Sequence, residues 1–121
     1  MFFPFAFSRV CSAELADVQD RWAEFDSLGA RLCAVSCDSL HALRAYAEDL
    51  GDLRCDLLSD FWPHGETARA YGSFDPDKGC PRRATFVLGP QLTVHSFVEA
   101  EPSRKRDLTQ VLEAVRDAGR V

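Results

Sequence analysis

Cys11 is the residue whose neighbours best equip it for chemistry. It closes the pattern Pro4-x-x-x-Ser8-x-x-Cys11, within the opening stretch Phe2-Phe3-Pro4-Phe5-Ala6-Phe7-Ser8-Arg9-Val10-Cys11-Ser12-Ala13-Glu14. Beyond it, Leu15, Val18, Trp22, Phe25 and Leu28 recur three or four apart, which is helix spacing. Cys11 is therefore predicted in the first turn of a helix, where unpaired backbone N–H groups and the positive dipole end favour an anion. A thiolate is such an anion, and helix N-termini are a known way to lower a cysteine pKa. A thiol of pKa ~8.5 is about 3% thiolate at pH 7, and one of pKa ~6 is about 90%, so ionisation alone gains roughly thirtyfold in reactive species. The same shift lowers the nucleophilicity of the sulfur. Fast thiol chemistry thus needs further groups that align a substrate and stabilise the charge on its leaving atom.

The elements that must hold such groups follow in order. The helix after Cys11 is predicted to run to Gly29, a good left-handed helix stop. Ala30–Ser36 reads as a buried strand. Asp38 or Ser39 caps the next helix, with Leu40, Leu43, Ala47 and Leu50 as its apolar stripe and Gly51 at its end. Arg54–Leu58 is a second strand. Ser59–Gly65 is a loop, followed by a short helix from Glu66 to Tyr71. Asp75-Pro76-Asp77-Lys78-Gly79 is a turn. Arg83–Leu88 and Leu92–Val98 form a hairpin through Gly89-Pro90-Gln91. Pro102 precedes a last helix, Ser103–Ala118, with Leu108, Val111, Leu112 and Val115 inward. Alternating strands and helices closed by a hairpin and a helix predict an α/β sandwich with a mixed sheet.

The 121 residues are read as one domain, 1–121, with 46% hydrophobic residues to fill a modest core. A net charge of −5 argues against an electrostatic nucleic-acid footprint. No apolar run approaches the roughly 20 residues that span a bilayer, and Met1 leads into Phe2-Phe3-Pro4 with no basic signal-peptide region. Five cysteines cannot all pair within one chain, and no Cys-x-x-Cys occurs, so neither a secreted disulfide framework nor a zinc site is expected. A reducing cytoplasm suits this set.

The pattern Pro4, Ser8, Cys11 resembles the peroxiredoxin active-site motif, with Glu14 where that family commonly has an acidic residue. Leu57-Leu58-Ser59-Asp60-Phe61-Trp62-Pro63-His64-Gly65, Ala70-Tyr71-Gly72 and Arg83-Ala84-Thr85-Phe86-Val87 fall in the family's order. The chain is most similar to the one-cysteine peroxiredoxins of the alkyl hydroperoxide reductase E type. The resemblance implies a thioredoxin-like fold and a thiol peroxidase needing no metal, haem or flavin. It also implies an N-terminal hairpin and most of a central strand ahead of the motif, of which only Met1-Phe2-Phe3 stands here. The expected domain is thus N-terminally truncated, with ladder groups left open.

Through the same resemblance, Cys11 is the peroxidatic nucleophile that becomes a sulfenic acid. Ser8 replaces the usual Thr, keeping the hydroxyl that accepts from peroxide and donates to thiolate; it can equally cap the helix, and the two roles are compatible. Backbone N–H groups of Val10 and Cys11 are further donors. Arg83, rather than its neighbour Arg82, is the cation beside the sulfur; Pro4 shields it, and Glu14 holds Arg83 or simply favours the helix dipole. Cys33, Cys37 and Cys55 are expected in the core. Cys80 is expected in an exposed loop, as the outside candidate for a resolving thiol. Phe61 and Trp62 are expected to pack on the core or a dimer partner, and His64 to be structural or on the surface. The implied partners are a peroxide, an external thiol or a thioredoxin- or glutaredoxin-like reductant, and a second copy in a homodimer. The other reading is non-enzymatic: a truncated thioredoxin-fold module that senses oxidant through Cys11, or an inactive remnant. A disulfide reductase is disfavoured for want of Cys-x-x-Cys.

Overall fold

A computed structural model describes residues 1–51, 53–101 and 104–119. The element order is α1 (Arg9–Asp20), α2 (Trp22–Ser27), β1 (Cys33–Ser36), α3 (Leu40–Leu50), β2 (Asp56–Ser59), α4 (Glu66–Ala70), β3 (Phe74–Asp75), β4 (Cys80–Pro81), β5 (Ala84–Leu88), β6 (Val94–Glu99) and α5 (Leu108–Ala118). β1 and β2 pair in parallel, and β5 and β6 antiparallel, giving the expected mixed arrangement. Met1–Phe3 joins the two pairs. Phe2 bridges Val35 in parallel, Phe3 N donates to Val35 O at 3.0 Å, and Phe2 N donates to Ala84 O at 2.8 Å. Three residues thus stand where a central strand is expected, with hydrogen bonds on both sides.

The expected first helix is two helices. Arg21, at φ −103°, interrupts the ladder between α1 and α2, although the apolar spacing continues and Leu15, Val18 and Phe25 are all buried. Ser39, not Asp38, caps α3, its Oγ accepting from Ala42 N at 3.1 Å. The buried stripe of α3 is carried by Leu43 and Tyr46, whereas Leu40 is exposed at the first turn. The last helix starts at Leu108, not in the run 104–107, because Asp107 takes the capping role and accepts from Thr109 N at 3.0 Å. Pro102 and Ser103 lie outside the described residues. The expected turn at 75–79 is flanked by the two-residue strands β3 and β4, which pair antiparallel. Phe3, Cys11, Leu15, Val18, Phe25, Ala34, Leu43, Tyr46, Val111 and Leu112 share one core, so the helix that carries Cys11 is anchored from within.

Candidate active site

The chain enters α1 through a sharp turn. Phe7 adopts φ +65°, a left-handed conformation uncommon for a residue other than glycine. Ala6 N donates to Asp38 Oδ2 at 2.8 Å, tying this turn to the β1–α3 connection. Ser8 follows as the N-cap, and its Oγ accepts from Cys11 N at 3.2 Å. Cys11 is the third residue of α1 and is buried at 2% exposure. The Cys11 N–H expected to reach a peroxide is therefore already committed to Ser8. The Ser8 hydroxyl keeps its proton and a second lone pair, so capping and substrate contact are compatible.

Pro4, Ser8, Cys11 and Arg83 line one cavity of about 470 Å³. Arg83 is buried whereas Arg82 is exposed, which separates the two arginines. Glu14 stands behind this wall. One turn after Cys11 on α1, it is 2% exposed and ion-pairs through Oε1 with Arg83 Nη2. Arg83 Nη1 donates to Glu101 O at 2.6 Å and to Arg104 O at 2.7 Å. The guanidinium is thus held by a carboxylate on one branch and carbonyls on the other.

Sequence reasoning missed Arg106. Its Nε donates to Glu14 Oε2 at 3.0 Å and its backbone N to the same oxygen at 2.8 Å. Its other nitrogens reach Thr85 Oγ1 at 2.8 Å, Ala84 O at 3.2 Å and Phe2 O. Burial, aided by Arg83, pulls the Arg106 pKa below the usual arginine range, against the opposing pull of Glu14. One buried carboxylate therefore joins two buried guanidiniums and ties α1, β5, the segment before α5 and the N-terminal residues together. Within the run Arg104-Lys105-Arg106 nothing in the sequence separated this arginine from a solvated face.

Cys80 is not in an exposed loop. It is 2% exposed in β4, and it lines the same cavity as Cys11. Burial first, then the Asp75 charge, pushes its thiol pKa up, with Lys78 opposing. Cys37 and Cys55 are buried and Cys33 is half-buried; all five thiols are unpaired. Burial pushes Cys37 up to about 11 and Cys55 up to about 12. Phe61 and Trp62 do not pack on the core: they are 52% and 83% exposed. His64 is exposed, as expected, and its Nε2 lies 2.7 Å from Gly79 O. Among the described residues, no group of three or more His, Cys, Asp or Glu is placed to hold a metal ion.

A mixed α/β sandwich with a buried, N-capped cysteine and a buried arginine on one cavity defines a thiol-based redox protein of the thioredoxin-like class. Residues 1–97 match the AhpC/TSA family. The chain is 34% identical over 107 residues to alkyl hydroperoxide reductase E of Mycobacterium tuberculosis, covering 88% of this chain and 69% of that protein. It is 30% identical over 120 residues to alkyl hydroperoxide reductase C of Escherichia coli, covering 97% of this chain and 63% of that protein. The crystal structure of Enterococcus faecalis AhpC superposes with a TM-score of 0.85 at 30% identity, covering 98% of this chain and 75% of that one. The chain belongs to the AhpC/TSA peroxiredoxin family, and that membership supports a thiol-peroxidase role. No helix among the described residues is long and apolar enough to cross a membrane.

Proposed function

We propose that the chain reduces hydrogen peroxide, organic hydroperoxides or both, with Cys11 as the peroxidatic thiol. The observation that supports this reading is the cavity whose wall Cys11, capped by Ser8, shares with Arg83, itself anchored by buried Glu14. The Cys11 thiolate attacks one peroxide oxygen, the O–O bond breaks, and the other oxygen leaves as water or alcohol after taking a proton. Cys11 becomes a sulfenic acid. Arg83 stabilises charge on the thiolate and on the leaving oxygen, the role for which its planar fork suits it. Ser8 orients the peroxide, and Pro4 limits water at the sulfur. Reducing equivalents come from an external thiol or a thioredoxin- or glutaredoxin-like protein. Five unpaired thiols suit a reducing cytoplasm, and the exposed Phe61 and Trp62 are available to a homodimer.

The test is stopped-flow oxidation of the reduced chain by hydrogen peroxide, followed by Trp22 and Trp62 fluorescence, with alkylation mass spectrometry to locate the oxidised sulfur. Rapid oxidation confined to Cys11, abolished in Cys11→Ser, is the expected result. Peroxide consumption retained in Cys11→Ser refutes the mechanism, and oxidation no faster than a free thiol moves the sensor or remnant reading to the front.

A further inference from the structure

Cys80 is the one other thiol on the wall of the Cys11 cavity. Cys33, Cys37 and Cys55 are absent from its lining. Cys55 lies in the core cluster, and Cys33 opens β1, where its carbonyl accepts from the Met1 amine at 2.8 Å. Cys80 is shut off from bulk solvent, so a reagent must reach it through that cavity or after local opening. A buried thiol on the same cavity wall as the residue that becomes a sulfenic acid is placed to react with it.

We propose that Cys80 is the resolving thiol of this chain, closing an intramolecular disulfide with Cys11 after each peroxide is reduced. The step rests on the peroxidase reading above. Peroxide first oxidises Cys11 to the sulfenic acid. The Cys80 sulfur then attacks the Cys11 sulfur, the S–OH bond breaks, and the hydroxyl leaves as water with the Cys80 proton. An external dithiol returns the disulfide to two thiols. The one-cysteine cycle expected from the sequence becomes a two-cysteine cycle within one chain.

Cys80 sits on thinly held backbone, and Cys11 sits in the terminal turn of its helix, so bond formation needs that turn to open. A disulfide needs Cα atoms within about 7 Å and sulfurs about 2.05 Å apart, a geometry that local adjustment must supply. β4 is two residues long and pairs only with β3 among the described strands. The first turn of α1 is pinned by the Ser8 cap and entered through the left-handed Phe7. Releasing that cap frees the Cys11 end of α1 while Leu15 and Val18 stay packed in the core.

The experiment exposes the reduced full chain to one equivalent of hydrogen peroxide, quenches with N-ethylmaleimide over time, and maps the peptides. The expected result is loss of two of the five alkylatable thiols and a Cys11–Cys80 cross-linked peptide. In Cys80→Ala, or Cys80→Ser should the alanine variant not fold, one thiol is lost. Cys11 is then captured as a dimedone adduct, and it advances to sulfinic acid with excess peroxide. A Cys11 sulfenic acid that persists equally in the parent chain and the variant overturns the proposal and leaves the peroxidase reading intact. So does a cross-link from Cys11 to Cys37 or to a second chain. Diamide, which oxidises thiol pairs without peroxide, separates the remaining failures. A Cys11–Cys80 cross-link with diamide but no oxidation by peroxide overturns the peroxidase reading while supporting the pairing. No such cross-link with either oxidant overturns the pairing.

Discussion

Replacing Glu14 with glutamine tests the centre of this architecture while leaving every cavity residue in place. The substitution keeps the shape and removes the charge that two buried guanidiniums share. One amide oxygen remains as an acceptor, but the amide NH2 must then face Arg83 or the Arg106 edge, donor against donor. Removing one partner of a buried ion pair costs about 3–5 kcal/mol, mostly through the charge left behind. Here the lower end applies. Arg106 keeps Thr85 Oγ1 and the Ala84 and Phe2 carbonyls, and Arg83 keeps the Glu101 and Arg104 carbonyls. A loss of about 3 kcal/mol follows. With an unfolding entropy of about 2.1 cal/mol/K per residue, that lowers Tm by roughly 12 °C for a chain of this length.

The assay is thermal and urea unfolding by circular dichroism at neutral pH, with Cys11 oxidation followed in parallel on the folded fraction. Glu14→Gln is expected to slow oxidation as well, since Arg83 loses the carboxylate that fixes one branch of its fork. The double variant Glu14→Gln/Arg106→Met is expected to recover part of the lost stability, because one stranded charge is gone. A stability loss below about 1 kcal/mol refutes the claim that the carboxylate holds the two arginines. The expected loss of stability with unchanged oxidation in the folded fraction refutes the narrower claim that Glu14 acts on the reaction through Arg83.

Three further outcomes check other parts of the structure. Arg83→Ala is expected to slow peroxide oxidation of Cys11 by about 10²-fold, the loss common for one charge-stabilising donor, with iodoacetamide alkylation at pH 7 slowed as well; an unchanged alkylation–pH profile removes Arg83 from the site. Stability is expected to fall above about pH 9, because Cys37 and Cys55 hold their protons to about 11 and about 12 through burial while the unfolded chain loses them earlier and so binds fewer. Cys55 alone sets a slope of up to about 1.4 kcal/mol per pH unit, and urea titrations at pH 8 to 11 should show that part of the slope vanish in Cys55→Ala. Gly65→Ala is expected to destabilise by more than about 1 kcal/mol, since Gly65 has φ +71° and an added Cβ runs into the Phe74 ring, on which the Arg69 guanidinium rests at 3.9 Å; chemical denaturation measures it directly.

Local rules read well wherever one short-range pattern decided the outcome. Ser8 stands three residues ahead of Cys11 at a helix start, the spacing at which an N-cap hydroxyl reaches the N3 amide. The hairpin of β5 and β6 and the left-handed stop at Gly29 follow from equally local chemistry. The arginine pair was legible by half. Arg83 is singled out by the family resemblance, from its place just before an apolar strand, whereas Arg106 sits among basic neighbours, and its burial depends on a carboxylate 92 positions away in sequence. Cys80 failed for a related reason. Gly79 and Lys78 read as a loop, and nothing short-range announces that the two-residue strand β4 pairs with β3 and brings the following thiol into the cavity wall. Both misses concern side chains whose surroundings are supplied by distant segments. The buried surroundings of Arg106 and Cys80 are therefore what a motif reading leaves out; the Glu14 variant interrogates the first, and the Cys80 variants test the proposal that this thiol returns the Cys11 sulfur.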